Sequence, residues 1–287
     1  MAFKVGMIPY TNMEPFRLMG PPAGGEFVSW LPSNSIGALL EGQIVAAAVP
    51  VGGLPQLEGV TESLGRFGIA APRASMSVLL FSRRPFEELK RPMTLALTGE
   101  SASSVRLLYL LFRQRLGAGQ VPWLVTDHGE ADGCLLIGDK ALEWRRRFCS
   151  QGTVEGFANM ADLAVLWHRY FGRPFVFARW VVRRDAPGQV RKCLEGWLHR
   201  FRSREDALVE EAASVCAGRL AMPEAEMKKY FHTLRRCLTA SDLEGQKLFL
   251  EKMEALSGDR FFRPRPGGSL GNPGRDERRK GRQGSQV

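Results

Sequence analysis

Two groups of residues in this chain have the types and spacing to do chemistry on a small anion. The first is Thr98-Gly99-Glu100-Ser101-Ala102-Ser103-Ser104, where a short apolar run, Met93–Thr98, gives way to an apolar helix ending near Gly117. Hydroxyls crowded at a helix start can cap its free N–H groups. Those N–H groups, with Thr98, Ser101, Ser103 and Ser104, can equally receive a carboxylate or phosphate. Local pattern leaves both readings open. The second group is Tyr10-Thr11-Asn12-Met13-Glu14-Pro15, directly after a first strand at Phe3–Ile8. A polar loop at a strand's C-terminal end is where open α/β sheets bind ligands. Pro15 can open a short helix there.

The elements that must position these groups follow from hydrophobic periodicity. Strands are expected at Phe27–Leu31, Ile44–Val49, Ile69–Ala71, Ser77–Ser82, Val121–Thr126, Gly133–Ile137 and Pro174–Val182. Helices are expected over 35–42, Lys140–Phe148 and Met160–Phe171. After Asp185 the chain reads as helix, in segments Val190–Phe201, Ala207–Cys216, Pro223–Leu238 and Ser241–Leu256. Ser241 and Glu244 have the spacing of a capping box. Strands alternating with helices, then a helical block, indicate an α/β protein with a mostly parallel sheet. Further candidate ligand contacts sit at strand ends: Pro50 and Gly52, Ser75 and Ser77, and Gly138 with Asp139. Gly52-Gly53 can also be only a turn. Asp139 and Asp162 are well placed to cap helices, and His168 is expected on a helix surface.

Composition excludes several classes. Hydrophobic content of 44% and charged content of 24% are those of a globular chain. No apolar run reaches the roughly 18 residues of a membrane span. The N-terminus lacks the pattern of a signal peptide, so the cytoplasm is the expected compartment. Five scattered cysteines and four dispersed histidines show no metal-ligand spacing; no metal and no cofactor are expected. The net charge of +10 raises nucleic acid as a partner, but half of the excess lies from Arg263 onward, and no nucleic-acid motif accompanies it. That tail, 263–287, has little apolar surface to bury and is expected to be disordered. Walker A, G-x-G-x-x-G, G-x-S-x-G and H-E-x-x-H are all absent.

Seven segments occur together in order: Y-T-N-M-E-P-F (10–16), L-L-E-G-Q-I-V-A-A-A-V-P (39–50), S-V-L-L-F-S-R-R-P (77–85), T-G-E-S-A-S-S-V (98–105), A-D-G-C-L-L-I-G-D-K-A-L (131–142), D-L-A-V-L-W (162–167) and R-P-F-V-F-A-R-W-V-V-R-R-D (173–185). With Y-F-H-T-L-R-R-C-L (230–238), they resemble the chorismate dehydratase family of the futalosine route to menaquinone, over roughly residues 3–258. The resemblance implies a two-lobe, type II periplasmic-binding-protein-like α/β fold with a helical C-terminal region. Two crossing strands are placed near Ser77–Ser82 and Phe175–Trp180. Lobe one is then 1–82, lobe two 83–179, and 180–262 returns to lobe one.

It also implies a hydro-lyase that converts chorismate, a small dianion, to 3-[(1-carboxyvinyl)oxy]benzoate without a cofactor. Asn12 and Ser77 match positions implicated in the family's chemistry, both near the departing hydroxyl. Tyr10, Thr11, Pro50, Gly52, Ser75, Thr98, Ser101, Ser103, Ser104, Gly138 and Asp139 are expected around the substrate. The substrate's own enolpyruvyl carboxylate is a candidate proton acceptor. Family members usually carry serine in place of Gly52, and threonine in place of Ser103 and Phe171. Alternatives are the pathway's 1,4-dihydroxy-6-naphthoate synthase, which shares the fold, and a non-catalytic cytoplasmic binder of a small aromatic or carboxylate ligand. The oligomeric state is not written in these residues.

Overall fold

The computed structural model describes residues 2–32, 34–97, 102–117, 122–125, 128–256 and 263–264. In chain order the elements are β1 (Phe3–Met7), α1 (Glu14–Leu18), β2 (Gly25–Ser29), α2 (Asn34–Leu40), β3 (Ala46–Pro50), β4 (Thr61–Ala71), β5 (Val78–Ser82), β6 (Thr94–Leu97), α3 (Ala102–Leu116), β7 (Trp123–Val125), β8 (Gly133–Ile137), α4 (Gly138–Gln151), β9 (Asn159–Asp162), α5 (Leu163–Phe171), β10 (Phe175–Arg183), α6 (Gly188–Leu220), α7 (Glu224–Thr233), β11 (Arg235–Cys237), α8 (Ala240–Glu254) and β12 (Arg263–Pro264).

They form two sheets. The first runs β11-β4-β10-β3-β1-β2 and the second β12-β7-β6-β8-β5-β9. β1 pairs in parallel with β2 and β3, and β6 in parallel with β7 and β8. Strands β3, β5 and β8 are buried at every residue. Their apolar runs therefore show no alternation, as expected for strands covered on both faces. β10 pairs antiparallel with β3 and β4, and β5 antiparallel with β8 and β9. The chain thus passes between the sheets at 72–77 and again at 172–174. Both passages fall a few residues ahead of those expected at Ser77–Ser82 and Phe175–Trp180, because β5 pairs wholly within the second sheet and β10 wholly within the first.

The helical block is pinned to the first sheet by aromatic packing. Phe16 of α1 stacks on Phe201 of α6 at 4.0 Å between ring centroids, and meets Trp180 of β10 edge-on at 5.4 Å. Trp197 completes the cluster 5.3 Å from Trp180. Each such burial contributes roughly 1.5–3 kcal/mol, and the cluster fixes the segment that follows Asn12.

Several expectations are corrected. β4 starts at Thr61 rather than Ile69; its first half is polar and half exposed, so it carries no strong strand signal. The expected helix 160–171 is a strand up to Asp162 and a helix only after it, where the Asp162 side chain accepts from Ala164 N. The expected helix 223–238 stops at Thr233, and Arg235–Cys237 pairs with the edge of β4. The two helices expected in 190–216 are one continuous α6, its polar middle exposed. The capping box of α8 is Thr239 with Asp242, two residues ahead of the expected Ser241 and Glu244. Arg263 and Pro264 pair with Trp123 and Leu124, where disorder was expected; the rest of the tail lies outside the described residues.

Candidate active site

β1 delivers the first site loop. Thr11–Met13 forms a single tight helical turn, and Pro15 stands in the first turn of α1. The loop is tied down on both sides. The Thr11 N–H donates to Asp139 Oδ1 of the second lobe at 2.9 Å. Arg219, reaching from α6, donates to Thr11 Oγ1 at 2.9 Å and to the buried Glu14 carboxylate at 2.8 Å. Arg17 donates to the same Glu14 oxygen at 2.5 Å. Asp139 therefore does not cap its helix: α4 begins at Gly138, and the carboxylate bridges the lobes instead.

The second site segment is the passage into β5. Met76 has φ +58°, a left-handed conformation that a β-carbon disfavours. The Asp162 carboxylate holds this turn. It accepts from Ser75 N at 2.8 Å, Met76 N at 2.7 Å, Ser75 Oγ at 3.0 Å and Ala164 N at 2.9 Å. Burial pushes the Asp162 pKa up from the ordinary carboxylate value, and these four donors oppose the shift. The turn presents Ser77, whose Oγ accepts from the buried Tyr230 hydroxyl at 3.2 Å.

The lobes meet at two glycines. Gly138 has φ +61°, and a β-carbon there would lie 3.0 Å from the Tyr10 ring. Gly52 N donates to Ser103 Oγ at 2.8 Å, and a β-carbon on Gly52 would lie 3.0 Å from that oxygen and 3.3 Å from Ser103 Cα. Gly52 and Ser103 thus touch each other across the lobes. Gly52→Val would force the first turn of α3 away from β3. Overpacking of this kind costs roughly 1–3 kcal/mol. A lower melting temperature than wild type is expected, and an unchanged one would show that the lobes need not approach this closely.

Between the lobes lies a hollow that, with its open mouth, holds about 570 Å³ of atom-free space. The first lobe contributes Ile8, Pro50, Ile69, Phe177 and Ala178, and the second Val78, Ile137 and Gly138. Its polar side chains are Tyr10, Asn12, Ser77 and Ser104; among the described residues no lysine, arginine, histidine or carboxylate lines it. Asn12 Oδ1 is buried there and has no hydrogen-bond partner among the described residues. Such an acceptor is costly to leave unpaired.

Of the residues expected around a substrate, Tyr10, Asn12, Pro50, Ser77, Ser104 and Gly138 line this hollow. Thr11, Ser75, Ser103 and Asp139 instead stand behind it, in the contacts given above. Gly52 lines a different, wider groove of about 1890 Å³ between the 3₁₀ segment Val51–Leu57 and α8, with Arg106, Arg184 and Lys247. Thr98 and Ser101 lie outside the described residues. Phe171 is remote from the hollow's lining; it packs on Trp167 at 4.3 Å beneath Lys252. His168 is half-buried rather than on the open surface.

Sequence reasoning missed the apolar wall, Phe177 and Ile69 above all, because every buried strand in the chain looks alike. It also missed Tyr230, although that residue opens the segment 230–238 quoted for the resemblance. No group of three His, Cys, Asp or Glu side chains suited to a metal occurs among the described residues.

A family model described as menaquinone biosynthesis matches residues 3–255. A chorismate dehydratase of Thermus thermophilus is 29% identical over 265 residues, covering 88% of this chain and 95% of that protein. Among solved structures, the periplasmic aliphatic sulphonate-binding protein SsuA of Escherichia coli superposes with a TM-score of 0.61 at 14% identity, covering 90% of this chain and 92% of its own. The Candida albicans CA3427 product, described as having the generic periplasmic binding protein fold, superposes at 0.58 with 11% identity, over 94% of this chain and 100% of its own. The fold is therefore the two-lobe α/β architecture of periplasmic binding proteins, extended by a helical C-terminal region.

Proposed function

Because the chain belongs to the menaquinone-biosynthesis family and is an enzyme of the hydro-lyase class, we propose that it dehydrates chorismate to 3-[(1-carboxyvinyl)oxy]benzoate. The observation that carries the reading is that Asn12, whose buried Oδ1 has no partner among the described residues, lines an apolar hollow between the lobes. Chorismate offers that oxygen a ring hydroxyl and offers the apolar wall a six-membered ring.

In the reaction the ring carbon bearing the ether loses its proton, and the neighbouring carbon loses hydroxide. The electron pair of the broken C–H bond closes an aromatic ring, and one water is released. Asn12 Oδ1 orients the hydroxyl by accepting its proton in a hydrogen bond. Ser77 donates to the same oxygen as its C–O bond breaks, where charge develops in the transition state. A substrate carboxylate lies at the start of α3 beside Ser104, where helix N–H groups favour an anion.

Among the described residues that line the hollow there is no general base. Glu14 is engaged by two arginines and Asp139 by Thr11. That supports the enolpyruvyl carboxylate of the substrate as proton acceptor, with the protein holding it in position. No described helix is long and apolar enough to cross a membrane, and we place the reaction in the cytoplasm, where a dianionic substrate is confined.

Incubation of the purified protein with chorismate tests the reading. Appearance of the benzoate product, followed by chromatography, is the expected result. Tight capture of chorismate without product would make the protein a binder, and no capture at all would sink the assignment.

A further inference from the structure

Tyr230 sits on α7 with none of its surface exposed. It is separated from Ser77 by 153 residues, yet its hydroxyl donates to Ser77 Oγ at 3.2 Å. We propose that Tyr230 is a positioning residue for the reaction, one that fixes the Ser77 hydroxyl as a hydrogen-bond donor into the interlobe hollow; this rests on the dehydratase reading of the site.

A serine hydroxyl has one proton to give and two lone pairs to offer. The Tyr230 donor occupies one lone pair. Burial raises the phenol's pKa, so at neutral pH the ring keeps the proton it donates. The proton of Ser77 then has two directions available. One is Ser75 O at 3.4 Å, a long contact. The other is the hollow that Ser77 lines, where a substrate oxygen at ordinary hydrogen-bond distance is the better acceptor. The Asp162 clamp holds the Ser75–Met76 backbone, while Tyr230 holds the hydroxyl itself. Backbone and side chain are thus fixed from different elements, the end of β9 and α7. Without the tyrosine hydroxyl, the Ser77 side chain keeps its place but its proton is free to turn away from the substrate.

Tyr230→Phe removes only that hydroxyl. Its kcat for chorismate is expected to fall on the order of ten-fold, with KM within about two-fold of wild type. In a Ser77→Ala background the same change is expected to alter kcat by less than about two-fold, because the group it positions is gone. An unchanged kcat in Tyr230→Phe would overturn the proposal. So would an equal fall in both backgrounds, which marks a structural role. If the wild-type protein turns over no chorismate, the functional reading fails by itself, and the contact is judged by NMR of ring-labelled tyrosine. The Tyr230 Cζ resonance is then expected to move in Ser77→Ala and to stay in place in the surface variant Ser203→Ala. A resonance indifferent to Ser77→Ala would overturn the positioning role independently of the substrate.

Discussion

Asn12→Ala is expected to lower kcat for chorismate by roughly 10²–10³, the range seen when a preorganised polar group facing a transition state is removed. The same change is expected to leave the melting temperature unchanged or to raise it. Asn12 Oδ1 is buried without a partner among the described residues, and an unsatisfied buried polar atom costs about 1–3 kcal/mol. Truncation removes that cost while keeping the pinned loop, since Thr11 and Glu14 make the contacts that hold it. Opposite signs for activity and stability mark a residue kept for chemistry rather than for folding. Activity and stability falling together would place Asn12 in the scaffold instead. Full activity in Asn12→Ala would remove it from the site.

Asp162→Ala carries the largest expected effect on stability. One buried carboxylate there satisfies three backbone N–H groups and one hydroxyl. Without it, buried donors of Ser75 and Met76 lose their acceptor, α5 loses its cap, and the left-handed Met76 turn loses what holds it. Roughly 3–5 kcal/mol of destabilisation is expected, a large share of the 5–15 kcal/mol typical of a folded protein. Urea unfolding reads this as a lower midpoint, and turnover falls as well because Ser77 follows Met76. A midpoint equal to that of the wild type would show that the turn is held by other contacts.

How much of this was legible in the residues differs between scaffold and site. β1, β8 and β10 announce themselves, being mostly apolar runs interrupted only by Lys4 and Arg179 and followed by Pro, Gly or charge. β9 and β11 do not: each is a few residues long and becomes a strand only because an edge of β5 or β4 lies beside it. The first turn of α8 offers both Thr239 and Ser241 as caps, and only the start of the helix decides between them.

The same limit applies to the polar loops. Thr11, Ser103, Asp139 and Ser75 are no different in type from Asn12, Ser104 and Ser77. Whether such a residue faces the hollow or its support depends on partners far away in the chain. Thr11 meets Asp139 across 128 positions, and Gly52 meets Ser103 across 51. Local spacing carries no record of those meetings, so it could place hydroxyls near the cleft without saying which of them line it.

A crystal of the protein soaked with 3-[(1-carboxyvinyl)oxy]benzoate tests most directly whether the interlobe hollow is where chorismate reacts. Density for the ring is expected between Ile69 and Ile137, with the site of the lost hydroxyl near Asn12 and Ser77 and a carboxylate beside Ser104. Density in the wider groove along α8, with the hollow empty at saturating product, would contradict it.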